Sequence, residues 1–184
     1  MHALPVMLRR FAERCGVYDL QIPQPIRVAR DRFLNRDKEF EPKVALAGLK
    51  AGTDGLVLIV LDVDDDCPVT LARDVSTKAG PWLRGASCSV VLANREYESW
   101  LIAVAPSLAA KRGLPDLVDQ PNNSESIRDA KGWLSERMVN HSGNAYRPVV
   151  DRAPLSAVVD LDAALANSRS LRKLAKCVSE YLEA

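Results

Sequence analysis

The stretch "GLVLIVLDVDDDCP", residues 55 to 68, decides the fold because it joins a long apolar run to four carboxylates. The apolar run is rich in β-branched residues, which is typical of a strand covered on both faces. Asp62 and Asp64 follow it two positions apart, so they share one face if the extended geometry persists. In open α/β sheets, sites are built at the carboxyl ends of strands. The stretch therefore predicts a central strand that leads into a candidate site.

The sequence on either side predicts alternating helices and strands. Helices are indicated by apolar residues at helical spacing, with Gly16 and Gly52 as stops, and the helix that starts at Pro68 has Asp65 or Asp66 as its expected cap. The predicted elements are, in chain order, a helix over 3–15, a strand around 26–30, a helix over 37–49, the central strand, a helix over 68–83, a strand over 86–94, and helices over 95–105, 127–138, 155–166 and 168–182.

This order predicts an α/β fold: a sandwich with a mostly parallel central sheet flanked by helices. Residues 107–184 form a helical and loop-rich extension in this interpretation. The length of 184 residues and the 47% hydrophobic content fit one domain with a proper core, so we expect a single domain over 1–184.

Composition narrows the class of protein. The net charge of +1, from 25 basic and 24 acidic side chains, gives no bulk attraction to nucleic acid or to an anionic membrane. Cys15, Cys67, Cys88 and Cys177 form no C-x-x-C pair, which favours reduced thiols over a zinc site or a disulfide framework. No apolar run is long enough for a membrane span, and no export signal is visible, so we expect a cytoplasmic protein.

The acidic cluster has two interpretations. Asp62, Asp64 and Asp66 offer the oxygen ligands that Mg²⁺ or Mn²⁺ prefers, and a cation would offset their mutual repulsion. Alternatively, the cluster is a solvated turn whose last carboxylates favour the start of the next helix. The D-x-D spacing also occurs in sugar-nucleotide transferases, in haloacid-dehalogenase-type phosphatases and in Ca²⁺ loops, so its position after a central strand carries the metal prediction.

A second acidic stretch, "NREYESW", follows the next predicted strand. Once helical, Glu96 and Glu98 point about 200 degrees apart, so only one of them needs to reach the sheet edge. We predict Glu96 as the catalytic one, against the alternative of a carboxylate at a helix start. Arg95 is the candidate contact for a substrate phosphate, and an ordinary ion pair is its alternative role.

Five phrases together carry a resemblance to a known family: "ALPVMLRRF", "QIPQPIRV", "VLDVDDDCP", "VVLANREYESWLIA" and "DLDAALANSRSLRKL". They resemble the bacterial family known as domain of unknown function 4276, and the match covers nearly the whole chain. Members look like compact TOPRIM domains and tend to be encoded beside AAA-type ATPases in defence-like gene clusters. The resemblance thus implies a TOPRIM-like sandwich and an AAA-type ATPase as partner.

TOPRIM domains use a Glu after the first strand and a D-x-D after a later strand to hold Mg²⁺ for phosphoryl transfer. The resemblance matches Asp62 and Asp64 to the D-x-D, and Asp66 to a third acidic position, whereas Glu96 has no settled counterpart in the family. Relatives carry a first strand and a "VEGHGE"-like turn before the stretch that matches "ALPVMLRR". We therefore expect that strand and its Glu to be missing, which would leave a groove beside the remaining strands.

Two functions follow as hypotheses. The first is a Mg²⁺- or Mn²⁺-dependent nucleic-acid phosphodiesterase module of the TOPRIM type, with Asp62, Asp64 and Glu96 as catalytic residues, acting with an ATPase partner in anti-phage defence. The second is a catalytically silent TOPRIM-like module that binds or regulates its partner, which the missing upstream Glu favours.

Overall fold

The computed structural model describes residues 3–63, 66–112, 121 and 123–184. In this part of the chain the fold is α/β and mostly helical, as its class was predicted. The elements are α1 (Ala3–Arg14), α2 (Arg30–Asn35), α3 (Asp37–Ala51), β1 (Leu56–Val63), α4 (Pro68–Ala79), β2 (Ser87–Asn94), α5 (Glu98–Ile102), α6 (Ala105–Arg112), α7 (Ala130–Ser142), α8 (Pro148–Val158), α9 (Leu161–Asn167) and α10 (Arg169–Leu182), with short 3-10 turns at Gly80–Trp82 and Ser124–Ser126.

The chain divides into two compact units. We call Gln21–Leu92 the strand unit, and Met1–Leu20 together with Ala93–Ala184 the helical unit. Each unit is described by itself below.

The strand unit contains the parallel pair β1 and β2, which is the only sheet in the described residues. A hydrogen bond from the amide of Ser87 to the carbonyl oxygen of Gly55 (2.9 Å) joins the starts of the two strands. Parallel strands need a crossover connection, and α4 supplies it. Both strands therefore end at the same edge of the sheet, where the sequence predicted a site.

One face of β1 builds the core of the strand unit. Its alternate residues Val57, Ile59, Leu61 and Val63 are buried, since successive side chains of a strand point to opposite faces. The core cluster adds Phe33 of α2, Phe40 and Val44 of α3, Val75 and Ala79 of α4, Ala86, and Val90 and Leu92 of β2. The predicted strand is thus confirmed as an element, and its inward face packs against α2, α3 and α4. In the described residues, however, β2 is its one neighbour and its other face is only half-buried, so it is not the central strand covered on both faces that was expected.

The end of α3 depends on close packing and on a glycine conformation. A Cβ atom at Gly48 would lie 2.6 Å from the backbone oxygen of Leu83, so only a glycine permits this approach. Gly52 follows the helix with a φ of 75°, which a glycine adopts without steric cost. This confirms the predicted stop of the second helix near Gly52.

The strand predicted around residues 26–30 is wrong. Residues 21–29 form no regular element, and α2 begins at Arg30. Pro23 and Pro25 lack the amide hydrogen that a ladder needs, and a single helical turn instead buries Phe33 in the core. The mostly parallel sheet that was expected is therefore only two strands wide in the described residues.

The helical unit is built on the helix that the N-terminal sequence predicted. α1 packs against α8 and α10, and α5 packs against α7 and α8. α10 turns one apolar face inward, with Leu171, Leu174, Cys177 and Val178 buried at helical spacing. Ser168 caps it, because its hydroxyl oxygen accepts a hydrogen bond from the amide of Leu171 (3.1 Å).

Several helices differ from those predicted. α7 spans Ala130–Ser142 rather than 127–138, and α6 was not predicted. α5 begins at Glu98, so residues 95–97 form the turn before it and Glu96 is not helical. The helix predicted over 155–166 is two helices, α8 and α9, which meet at the capping residue Asp160. Within the described part of the chain, no helix has both the length and the apolar character needed to cross a bilayer.

Candidate functional site

The carboxyl end of β1 is the first part of the candidate site. Asp62 is the penultimate residue of the strand and is exposed, whereas Val63 beside it is only 1% exposed. Because side chains alternate along a strand, Asp62 faces away from the core of the strand unit. Asp64 and Asp65 lie outside the described residues, so the face that Asp62 and Asp64 were predicted to share stays a prediction.

Asp66 is exposed and forms an ion pair with Arg30, whose Nη2 donates a hydrogen bond to Oδ2 of Asp66. The Arg30 and Asp66 side chains are 31% and 57% exposed. Ion pairs this exposed contribute about 0–1 kcal/mol. The contact is therefore weak enough for another ligand to replace either partner.

Arg30 and Asp66 lie at a cleft of about 400 Å³ within the strand unit. Its apolar lining comes from α2, α3 and α4. The polar side chains that line it are Arg30, Asn35, Asp66, Asp74 and Lys78. The cleft is thus lined by two cations, Arg30 and Lys78, and by two carboxylates, Asp66 and Asp74.

Lys78 is the better positioned of the two cations. Its Nζ lies 2.9 Å from Oδ1 of Asp37 and 4.6 Å from the centre of the Phe40 ring. It also donates a long hydrogen bond, 3.4 Å, to the carbonyl oxygen of Leu34. These contacts come from α2 and α3, so α4 carries a cation that both neighbouring helices hold in place.

The start of α4 places a thiol beside the acidic cluster. Cys67 occupies the N-cap position, so Asp66 precedes the cap and does not fill the capping role predicted for it, and Asp65 is outside the described residues. The backbone amide of Thr70, helped by the Thr70 hydroxyl and by the amide of Val69, stabilises the thiolate and lowers the pKa of Cys67.

Glu96 belongs to the helical unit and is held by α7. Its carboxylate accepts hydrogen bonds from the backbone amide (3.2 Å) and from the Nζ of Lys131, the second residue of that helix. The Glu96 side chain is 20% exposed. A carboxylate at a helix N-terminus was the alternative to the catalytic interpretation, and Glu96 has that position on α7.

Arg95 lies in the turn between β2 and α5. Its backbone adopts a φ of 69°, the left-handed region that non-glycine residues rarely occupy. Arg95 is half-buried within the helical unit, like Glu96. Asp62 and Asp66 belong to the strand unit, so the predicted site residues are divided between the two units.

Glu98 is a buried carboxylate that the sequence prediction passed over in favour of Glu96. It is fully buried, and its Oε1 accepts hydrogen bonds from the Tyr146 hydroxyl (3.0 Å) and from Nε (3.0 Å) and Nη2 of Arg152. Its Oε2 has no hydrogen bond from the described residues, and the Nζ of Lys131 lies 3.9 Å from it. A charge buried this deeply needs such partners to offset its lost hydration.

Aromatic side chains enclose this ion pair. The Arg152 guanidinium lies 5.2 Å from the centre of the Tyr97 ring, and the Tyr97 hydroxyl is hydrogen-bonded to that of Ser156 (2.8 Å). Burial raises the pKa of Tyr146, and the charge of Glu98 raises it further. Burial opposes the charge of Arg152, but Glu98 outweighs it and raises the Arg152 pKa. This cluster fastens α5 to α7 and α8.

A sequence signal for Glu98 exists. Glu98 precedes Leu101 and Ile102 by three and four positions, so a helix places all three on one face. Leu101 and Ile102 are buried, and Glu98 is buried with them. A carboxylate on an apolar helix face predicts a buried partner, here Arg152.

The described residues contain no group of three or more His, Cys, Asp or Glu side chains arranged to hold a metal ion. Asp62 and Asp66 are exposed oxygen donors of the kind that Mg²⁺ prefers, so they fit the ion chemically. A complete ligand set therefore depends on Asp64, which lies outside these residues. Comparison of the chain with family models, with curated proteins and with solved structures found no match.

Proposed function

We propose that this protein is a Mg²⁺- or Mn²⁺-dependent nucleic-acid phosphodiesterase module of the TOPRIM type that acts with an ATPase partner in anti-phage defence. The observation that carries the proposal is the pairing of Asp66, three positions after the end of β1, with Arg30 at a cleft lined by α2, α3 and α4. Phosphoryl transfer needs carboxylates for the metal and cations for the phosphate oxygens in one place.

In this proposal, Asp62, Asp64 and Asp66 hold the metal ion. When bound, Mg²⁺ stabilises charge on the phosphate oxygens and orients water for in-line attack. Asp66 exchanges Arg30 for the ion, which their exposed contact permits at little cost. The predicted roles of Glu96 in catalysis and of Arg95 in phosphate contact stay predictions, since both residues belong to the helical unit, where Glu96 is paired with Lys131.

The metal part of the proposal is tested by calorimetric titration of Mn²⁺ into the chain. We expect binding by the wild-type chain and its loss in Asp62→Asn/Asp64→Asn. The matched control removes two exposed carboxylates elsewhere, in Asp54→Asn/Glu183→Gln, and should bind as the wild type does. No binding by the wild-type chain would refute the metal site.

The catalytic part is tested on the complex with the ATPase partner, because a net charge of only +1 gives the chain weak attraction to nucleic acid, and cleavage needs the substrate to stay bound. We expect cleavage of DNA or RNA that EDTA abolishes and that the Asp62→Asn/Asp64→Asn variant lacks. Cleavage that survives in this variant would refute the assignment of these residues.

A second candidate function is a catalytically silent module that binds or regulates an ATPase. Its support is that two predicted site carboxylates, Asp66 and Glu96, already have cations of their own units as partners. Co-purification with an ATPase, together with no Mn²⁺ binding and no metal-dependent cleavage, would favour this function over the first.

A further inference from the structure

Arg30 has one side-chain donor that is buried and unused within the described part of the chain. Its Nη2 donates to Asp66, whereas its Nε is buried and has no hydrogen-bond partner among the described residues. An unpaired buried donor is unfavourable, because the hydrogen bonds that it loses with water are not replaced. Arginine presents Nε and Nη2 as a fork that fits two oxygens of one phosphate, so the Arg30 fork is only half used.

The rest of the cleft suits the same ligand. Lys78 of α4 supplies a second cation, whose pairing with Asp37 is also partly exposed and so can be exchanged. The cleft of about 400 Å³ is large enough for a phosphate with part of its ester. We propose that this cleft binds a phosphate group of a nucleic-acid strand, with Arg30 and Lys78 as its donors. The choice of nucleic acid rests on the proposed function, whereas the choice of phosphate rests on the cleft.

The carboxylates of the cleft determine how this site works. Asp66 occupies half of the Arg30 fork and therefore competes with a phosphate for it. A change that removes the charge of Asp66 should thus strengthen phosphate binding. A metal ion held by Asp66 would release Arg30 in the same way, so metal and phosphate would each favour binding of the other.

The test is a titration of a fluorescein-labelled oligodeoxynucleotide by anisotropy, in EDTA and at low salt. We expect Arg30→Gln to weaken binding at least about tenfold and Asp66→Asn to strengthen it. Arg73→Gln is the matched control, since Arg73 is a 72% exposed cation of α4 that does not line the cleft. It should change the affinity by less than about twofold.

Arg30→Lys keeps the charge without the fork and should bind less tightly than the wild type but more tightly than Arg30→Gln. Circular dichroism checks that each variant is folded, and the expected gain in Asp66→Asn keeps the test decisive if Arg30→Gln is unstable. Equal affinity of the wild type and Arg30→Gln would overturn the inference, as would equal losses in Arg30→Gln and Asp66→Asn. Failure of the wild-type chain to bind the oligonucleotide would also overturn it.

This experiment is independent of the test of the proposed function. The calorimetric titration uses Mn²⁺ without nucleic acid, and the anisotropy titration uses nucleic acid without metal. If the chain binds Mn²⁺ and its affinity for the oligonucleotide does not depend on Arg30, the phosphate site in the cleft is refuted and the metal site is supported. If oligonucleotide binding depends on Arg30 and the chain does not bind Mn²⁺, the metal site is refuted and the phosphate site is supported.

Discussion

Replacing Arg152 with Met should strongly destabilise the helical unit. The change keeps most of the aliphatic bulk beside the Tyr97 ring but removes the two donors, Nε and Nη2, from Oε1 of Glu98. Glu98 stays fully buried, and among the described residues the Tyr146 hydroxyl remains as its hydrogen-bond donor. A buried carboxylate is then left without its main counter-charge.

The expected loss in the free energy of unfolding follows from the burial of the ion pair between Glu98 and Arg152. Removing one partner of a buried ion pair costs about 3–5 kcal/mol, because the other charge stays desolvated. The Arg152 side chain is 29% exposed, and the Nζ of Lys131 remains 3.9 Å from Oε2 of Glu98. Both facts reduce the cost, so we expect about 3 kcal/mol, at the lower end of that range.

Urea unfolding monitored by tryptophan fluorescence measures this cost. Trp82 lies in the strand unit, so a Trp82→Phe background restricts the signal to Trp100 and Trp133 of the helical unit. Arg147→Met is the matched control, because Arg147 is an exposed arginine at the start of the same helix. It should change the free energy of unfolding by less than about 0.5 kcal/mol.

A double variant distinguishes the cost of the unpaired Glu98 charge from the cost of the packing that is lost with Arg152. Glu98→Gln combined with Arg152→Met removes the unpaired charge, so it should be more stable than Arg152→Met alone. Equal costs for Arg152→Met and Arg147→Met would refute the reasoning, since the pair would then behave like a surface contact.

Three further outcomes are expected. Gly48→Ala should cost about 1–3 kcal/mol in urea unfolding, because its Cβ would lie 2.6 Å from a backbone oxygen. Since its pKa is lowered, Cys67 should react with iodoacetamide near neutral pH faster than Cys15, which is also exposed, as peptide mass spectrometry would measure. The raised pKa of Tyr146 keeps it protonated in the folded state while the unfolded chain ionises near pH 10, so stability is retained below about pH 10 and falls above it. Tyr146→Phe should make this fall shallower, as urea unfolding at alkaline pH would record, and Tyr18→Phe, at an 82% exposed position, should not.

The periodic spacing of apolar residues in the sequence predicted those helices and strands that bury a long, regular face. β1 is an unbroken apolar run with an acidic end, and α3 has clear spacing and a stop at Gly52, so both were predicted to within a few residues. α10 was predicted for the same reason, with Ser168 at its start. Where the buried face extends over several turns, the sequence alone determines the element.

The short element α2 shows where this reasoning fails. Ile26 and Val28 alternate with polar residues as a strand would, and they do line a small cleft of about 90 Å³ beside β1, yet no ladder forms there. The alternation of apolar and polar residues shows which side of a segment is buried, but it does not show whether the backbone amides pair with another strand. The six-residue helix α2 is fixed by the burial of Phe33, a tertiary contact that local spacing does not reveal.

The two groups of carboxylates differ in what they permit. The ion pair of Glu98 is buried, and replacing Arg152 there would strand a charge, so this pair holds the helical unit together. The pair of Asp66 with Arg30 is exposed and weak, and Nε of Arg30 has no acceptor in the part of the chain that the structure describes, so either partner is released at little cost. Exchange of ligands is what a metal or phosphate site requires. A metal or phosphate site is therefore better sought at Asp66 and Arg30, whose ion pair can be exchanged, than at Glu98 and Arg152.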